Sequence, residues 1–153
     1  GLRGAGEAAD AALAADWLVL LQQHAVDYTL AWRRLGDAAG GDANPLRALF
    51  AEPAAVNPWL ERWRARCAQD DAAMGDTGAA RAARMHAVNP WIIPRNHRVE
   101  EALAAASEHD DLALFLRLLP ALQQPYVEDA ALARYAEPAP AQVTAAYQTF
   151  CGT

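Results

Sequence analysis

Val88-Asn89-Pro90-Trp91-Ile92-Ile93-Pro94-Arg95-Asn96-His97-Arg98-Val99-Glu100-Glu101-Ala102-Leu103 interrupts a chain that otherwise reads as helix. Pro90 and Pro94 forbid a continuous helix, because each lacks an amide donor and biases its predecessor toward extended geometry. Helical spacing resumes near His97 and runs to Ser107, with Glu100 and Glu101 favourably placed in the first turn. Between the isoleucines and that helix lies a polar cluster, Arg95, Asn96, His97 and Arg98. Together with Asn89 and Pro94 these residues form a candidate joint that locks the domain's own geometry or docks an adjoining surface. A purely local alternative stands beside it: Asn96 caps the helix, His97 pairs with Glu101, and the arginines bond nearby carbonyls.

Upstream, Leu13, Trp17, Leu20, Leu21 and His24 recur at steps of three and four, predicting a helix from Glu7 to about Gln23. Asp27 is placed to cap a helix from Tyr28 to Leu35, with Gly36 as its stop. Asn44-Pro45 and Asn57-Pro58 are helix starts, and Trp59, Trp63 and Cys67 share one face of a helix over Pro58 to Ala72. A further helix covers Ala79 to Ala87. Downstream, Asp110 or Asp111 caps a helix whose apolar face is Leu112, Phe115, Leu116 and Leu119. Past Pro125 the chain is broken by prolines, and a last short helix spans Ala141 to about Tyr147. No alternating strand pattern of useful length is present. The predicted fold is all-α: a single irregular domain of about seven or eight helices with a proline-broken C-terminal tail. Residues 1–6 and 148–153 are expected to be flexible.

Val56-Asn57-Pro58-Trp59 and Val88-Asn89-Pro90-Trp91 are identical tetrapeptides. Leu60-Glu61-Arg62-Trp63 continues the first as helix, whereas Ile92-Ile93-Pro94-Arg95 cannot continue the second. True repeats stay similar over a whole period, so a solenoid is disfavoured.

Composition narrows the function. At 153 residues the chain can bury a sizeable core without a disulfide or metal staple. All 13 basic residues are arginine, and the net charge of −6 argues against a nucleic-acid footprint. No apolar run approaches the ~20 residues that span a bilayer. Gly1-Leu2-Arg3-Gly4 has neither a methionine nor a signal-peptide core and reads as the start of a segment from a longer protein. Two cysteines, Cys67 and Cys151, suit a reducing compartment.

No phosphate-cradling glycine loop or zinc-ligand spacing occurs, so no catalytic, cofactor-binding or metal-ligating residue is assigned. His24 falls on an apolar helix face and reads as a hydrogen-bonded core residue. Arg33-Arg34 and Arg62/Arg64/Arg66 could grip phosphate, but the acidic balance favours a solvated face, with Arg66 and Asp70 as an ordinary i,i+4 pair. Cys67 reads as a buried apolar filler and Cys151 as a reachable tail thiol.

Four stretches resemble the C-terminal part of the SelO (YdiU) family. They are Asp27-Tyr28-Thr29-Leu30-Ala31-Trp32-Arg33-Arg34-Leu35, the run from Met85 to Leu103, Pro125-Tyr126 with Tyr135 and Pro138, and Phe150-Cys151-Gly152-Thr153. The resemblance implies a bacterial, cytoplasmic protein adenylyltransferase. Its kinase-like core binds ATP in an inverted pose with Mg²⁺ or Mn²⁺ and moves AMP onto Ser, Thr or Tyr hydroxyls of protein substrates. That core lies upstream in the family, so the implied partners are the core itself and protein substrates, with no nucleic acid and no membrane. The one functional position the resemblance transfers is Cys151, matching a C-terminal cysteine or selenocysteine that can engage a core cysteine as a redox brake. A stand-alone helical protein-interaction module is the alternative.

Overall fold

The computed structural model describes residues 1–3 and 8–146. Among these the regular structure is α-helix and 3₁₀ turn without a strand, in agreement with the all-α expectation. Two compact units are distinguished, one built from residues up to Pro90 and one from Trp91 onward, so the chain passes between them inside the joint.

In the first unit, α1 (Ala8–Gln23) buries Leu13, Trp17 and Leu21 at helical spacing. His24 follows α1, half-buried, with its ring edge-on to Phe50. α2 (Tyr28–Gly40) starts where the sequence places it, because the Asp27 carboxylate accepts the Leu30 amide at 2.9 Å. Its end differs. Gly36 lies inside the helix, where an added Cβ would sit 2.5 Å from the His86 ring, so the glycine serves close packing rather than termination. The stop is Gly41, whose φ of 114° is the left-handed conformation that glycine adopts without strain.

α3 (Asn44–Arg47) and a 3₁₀ turn (Pro53–Val56) lead into α4 (Asn57–Met74), and α5 (Gly78–Val88) begins at Thr77, whose hydroxyl accepts the Ala80 amide. Asn44 and Asn57 mark helix starts as expected, but neither side chain caps; Asn57 Oδ1 accepts instead from Arg47 Nε at 2.9 Å.

The core of this unit centres on Trp17, which has no exposed surface. Its ring lies 4.3 Å from Trp59 and meets Trp32 edge-on at 6.0 Å, while Trp59 stacks on Trp63 at 6.1 Å. The Trp59 indole N–H is satisfied by the Leu13 carbonyl at 2.9 Å. A fully buried indole removes roughly 200 Å² from water, worth ~5 kcal/mol as an upper bound, so this cluster dominates the unit's stability.

Arg66, expected on a solvated face, is structural, and so are Arg81 and Arg84, for which the sequence suggests no role. Arg66 does pair with Asp70, but it also donates twice to Asp10 of α1, at 2.7 and 3.1 Å, and so joins two helices. Arg81, 2 % exposed, donates to the Cys67 carbonyl and to Asp71, and its Nε reaches the Gly1 carbonyl. Arg84 pairs with Asp76. Of the terminus expected to be flexible, residues 1–3 are held: the Arg3 amide donates to Asp70 at 2.7 Å and Leu2 packs against the core. Residues 4–6 and 148–153 lie outside the described residues.

The second unit contains α6 (Asn96–His109), α7 (Ala113–Gln123), a 3₁₀ turn (Ala130–Leu132), α8 (Ala133–Ala136) and α9 (Ala141–Ala146). Asp111, not Asp110, serves the start of α7, accepting the Ala113 amide at 2.8 Å; Asp110 adopts φ 50° at the end of α6. α6 and α7 pack together and bury Ala102, Leu118 and Ala121. The expected inward face of α7 is therefore turned outward: Leu112, Phe115, Leu116 and Leu119 are exposed. The helix is apolar on both sides, and a periodicity with two apolar faces does not say which one the core takes.

Candidate functional site

Three of the four stretches singled out in the sequence make contacts with the run around Pro90, each contact within its own unit. Within the first unit, Arg33 of α2 is buried and its Nη1 donates to the carbonyls of His86 at 3.0 Å and Asn89 at 3.3 Å. Those acceptors sit at the end of α5, where helix geometry leaves carbonyls without intrahelical donors. A cation there also complements the helix dipole. Arg33 thus corrects the solvated-face reading: it terminates α5 and fixes Asn89. The His86 ring, over Gly36, lies 3.0 Å from the Asp37 carboxylate, which also accepts from Arg34 at 3.0 Å.

Within the second unit, the amides of Trp91 and Ile92 both donate to the Pro125 carbonyl, at 2.7 and 3.1 Å. Both side chains are buried. Pro94 is exposed and leads into Arg95, whose guanidinium is buried and donates to the Ala136 carbonyl at 2.9 Å beside buried Tyr135. The extended run is thereby pinned at two points, near its start to the loop after α7 and at its end to α8.

The local alternative for this cluster fails in its details. Asn96 is exposed and is the first residue of α6; the cap position is Arg95, without a side-chain cap bond. Arg98, rather than His97, pairs with Glu101, at 3.0 and 3.1 Å. His97 is half-buried against an open groove of about 490 Å³ lined also by Arg98, Glu100, Glu101, Ala104, Pro140 and Val143. Burial, aided by the Arg98 charge, holds its imidazole below the ordinary histidine range.

Sequence reasoning missed Arg33 and the carbonyls of Pro125 and Ala136. Arg33 had a readable signal: Gly36 and Gly40 follow it on one helix face, and small residues at that spacing mark close approach of a second helix. The two carbonyls had none, since backbone acceptors carry no residue signature.

Cys67 is buried and free, and burial pushes its thiol up. Cys151 lies outside the described residues. Among the described residues no group of three or more His, Cys, Asp or Glu could hold a metal ion. Five of the half-buried or buried carboxylates of the first unit are matched to an arginine, Asp10 and Asp70 to Arg66, Asp37 to Arg34, Asp71 to Arg81 and Asp76 to Arg84, while Asp27 accepts the Leu30 amide. These groups do not fit a metal-bound triphosphate, and no catalytic step is assigned to them. No helix among the described residues is long and apolar enough to cross a membrane.

No family model matches the chain. Individual relatives do. It is 51 % identical over 144 residues to the protein nucleotidyltransferase YdiU of Chromobacterium violaceum, covering 94 % of this chain and 29 % of that protein. The chain belongs to the YdiU family. YdiU of Cereibacter sphaeroides is 50 % identical over 153 residues, all of this chain and 29 % of the relative, and that of a Bradyrhizobium species is 50 % identical over 128 residues. The chain therefore spans less than a third of the length of these YdiU proteins.

Proposed function

We propose that this chain is the helical C-terminal segment of a YdiU protein nucleotidyltransferase that transfers AMP from ATP to protein hydroxyls. In that reaction a Ser, Thr or Tyr oxygen attacks the α-phosphorus and pyrophosphate leaves. The nucleotide and its Mg²⁺ or Mn²⁺ are handled by a kinase-like core outside these residues, in the bacterial cytoplasm. The segment supports the core, and Cys151 supplies a thiol that pairs oxidatively with a core cysteine and restrains activity.

The observation that carries this reading is identity of 50 % over the whole chain to a protein more than three times as long. The arginine and aspartate pairing above supports the division of labour, because Arg66, Arg81 and Arg84 and their aspartates are engaged in contacts within the first unit.

Calorimetric titration of the parent protein with ATP and Mg²⁺ should give saturable binding, and labelled ATP should mark protein substrates with AMP. Peroxide should inhibit the parent protein, and Cys151→Ser should abolish that inhibition. Tight Mg²⁺-dependent ATP binding by residues 1–153 alone would overturn the division of labour. Equal peroxide sensitivity in wild type and Cys151→Ser would overturn the role of the thiol.

A further inference from the structure

α7 carries an apolar face that nothing in its own unit covers. Leu112 at its start, Phe115, Leu116 and Leu119 are 54, 43, 60 and 40 % exposed. Phe115 and Leu116 lie three and four residues after Leu112, and Leu119 lies four and three residues after them, the spacing of a single stripe along a helix. The opposite side of α7 is already occupied, since Leu118 and Ala121 are buried. Arg117 is the helix's one charged residue. A surface helix normally presents polar residues outward; one that is apolar all round is a buried helix. α7 has the composition of a buried helix and the exposure of a surface one.

We propose that this stripe is the seat for the remainder of the YdiU polypeptide, which packs an apolar groove of its own over α7. The proposal rests on the reading of the chain as a segment of a longer YdiU protein. Two observations choose this occupant. First, the relatives that match nearly the whole chain are only 29 % covered by it, so most of the polypeptide lies elsewhere. Second, the four side chains expose roughly 400 Å² together, about half of what each partner of a stable complex usually contributes. A free partner or a second copy would need more surface than that. A covalently continuous one would not, because linkage raises the effective concentration to the millimolar range. The near absence of charge on α7 argues in the same direction, since it selects no anionic or cationic ligand.

The test uses the full-length parent protein carrying Leu116→Cys, with Ser107→Cys at an exposed position of α6 as the reference and peptide mass spectrometry to separate these thiols from native ones. The expected result is maleimide labelling on the order of 50-fold slower at position 116 than at 107, unchanged on dilution. A photo-crosslinking side chain at position 115 should join α7 to peptides outside this segment. Comparable labelling at both positions overturns the proposal. So does protection that disappears on dilution, which would indicate a second copy, or crosslinks that map to Gly1–Pro90. If Leu116→Cys does not fold, Leu119→Cys gives the same reading. AMP transfer measured on the same preparations separates the two levels: an active protein with an open α7 face refutes the docking seat alone, whereas a parent protein without nucleotide binding refutes the underlying reading.

Discussion

Replacing Arg95 by methionine tests whether the joint is held from within. Methionine keeps most of the apolar stem and removes the guanidinium. Arg95 is 9 % exposed and its 2.9 Å bond to the Ala136 carbonyl is buried. A hydrogen bond from a charged donor contributes ~1.5–3 kcal/mol, and the abandoned carbonyl loses its partner in a place water reaches poorly. The expected loss is therefore ~2–3 kcal/mol, which accelerates amide exchange roughly 30- to 150-fold wherever the second unit opens as a whole. The contrast lies one residue away. Asn96 is exposed and makes no cap bond, so Asn96→Ala should stay within about 0.5 kcal/mol. Hydrogen-exchange mass spectrometry on peptides between Trp91 and Ala136 reads both variants. Equal protection in Arg95→Met and Asn96→Ala would refute the pinning role of Arg95.

Two further outcomes concern the first unit. An added Cβ at Gly78 would sit 2.4 Å from the Ala39 carbonyl oxygen, so Gly78→Ala should cost ~1–3 kcal/mol in urea unfolding, while Gly40→Ala, with 3.5 Å of clearance, should be neutral or slightly stabilising. The Arg84 guanidinium holds the Asp76 carboxyl down at about 2. Because that folded value is depressed, its stabilisation is complete above the ordinary carboxylate range near 3.8 and is lost as pH falls toward 2. Asp76→Asn should flatten acid unfolding in that window, and an unchanged profile would show that the pair is not coupled to folding.

The helices were legible because their signals are local. Asp27, the two Asn-Pro starts and the spacing of Leu13, Trp17 and Leu21 all act within a turn or two of their own position. Gly36 misled for the same reason: read locally it is a stop, and only the His86 ring, 50 residues away, reveals it as a contact. The two faces of α7 were equally apolar, so local period left the inward one undetermined. The joint's residues were visible as an unusual cluster, but their partners are main-chain oxygens, which every residue possesses. Cys151 was singled out through family resemblance, and the described residues do not reach it.

The twin Val-Asn-Pro-Trp tetrapeptides show what that distinction means for folding. After Val56 the sequence enters a helix; at Val88 the same residues leave one. In the second copy the exit is secured by Arg33, 56 residues earlier, through the Asn89 carbonyl. A boundary secured by so distant a group forms late, since the loop between the two residues must close before the bond can reward it. During synthesis α2 leaves the ribosome long before its partner. Its buried cation then waits in water for the carbonyls at the far end of α5, and the first unit can complete only once the beginning of the joint has been made.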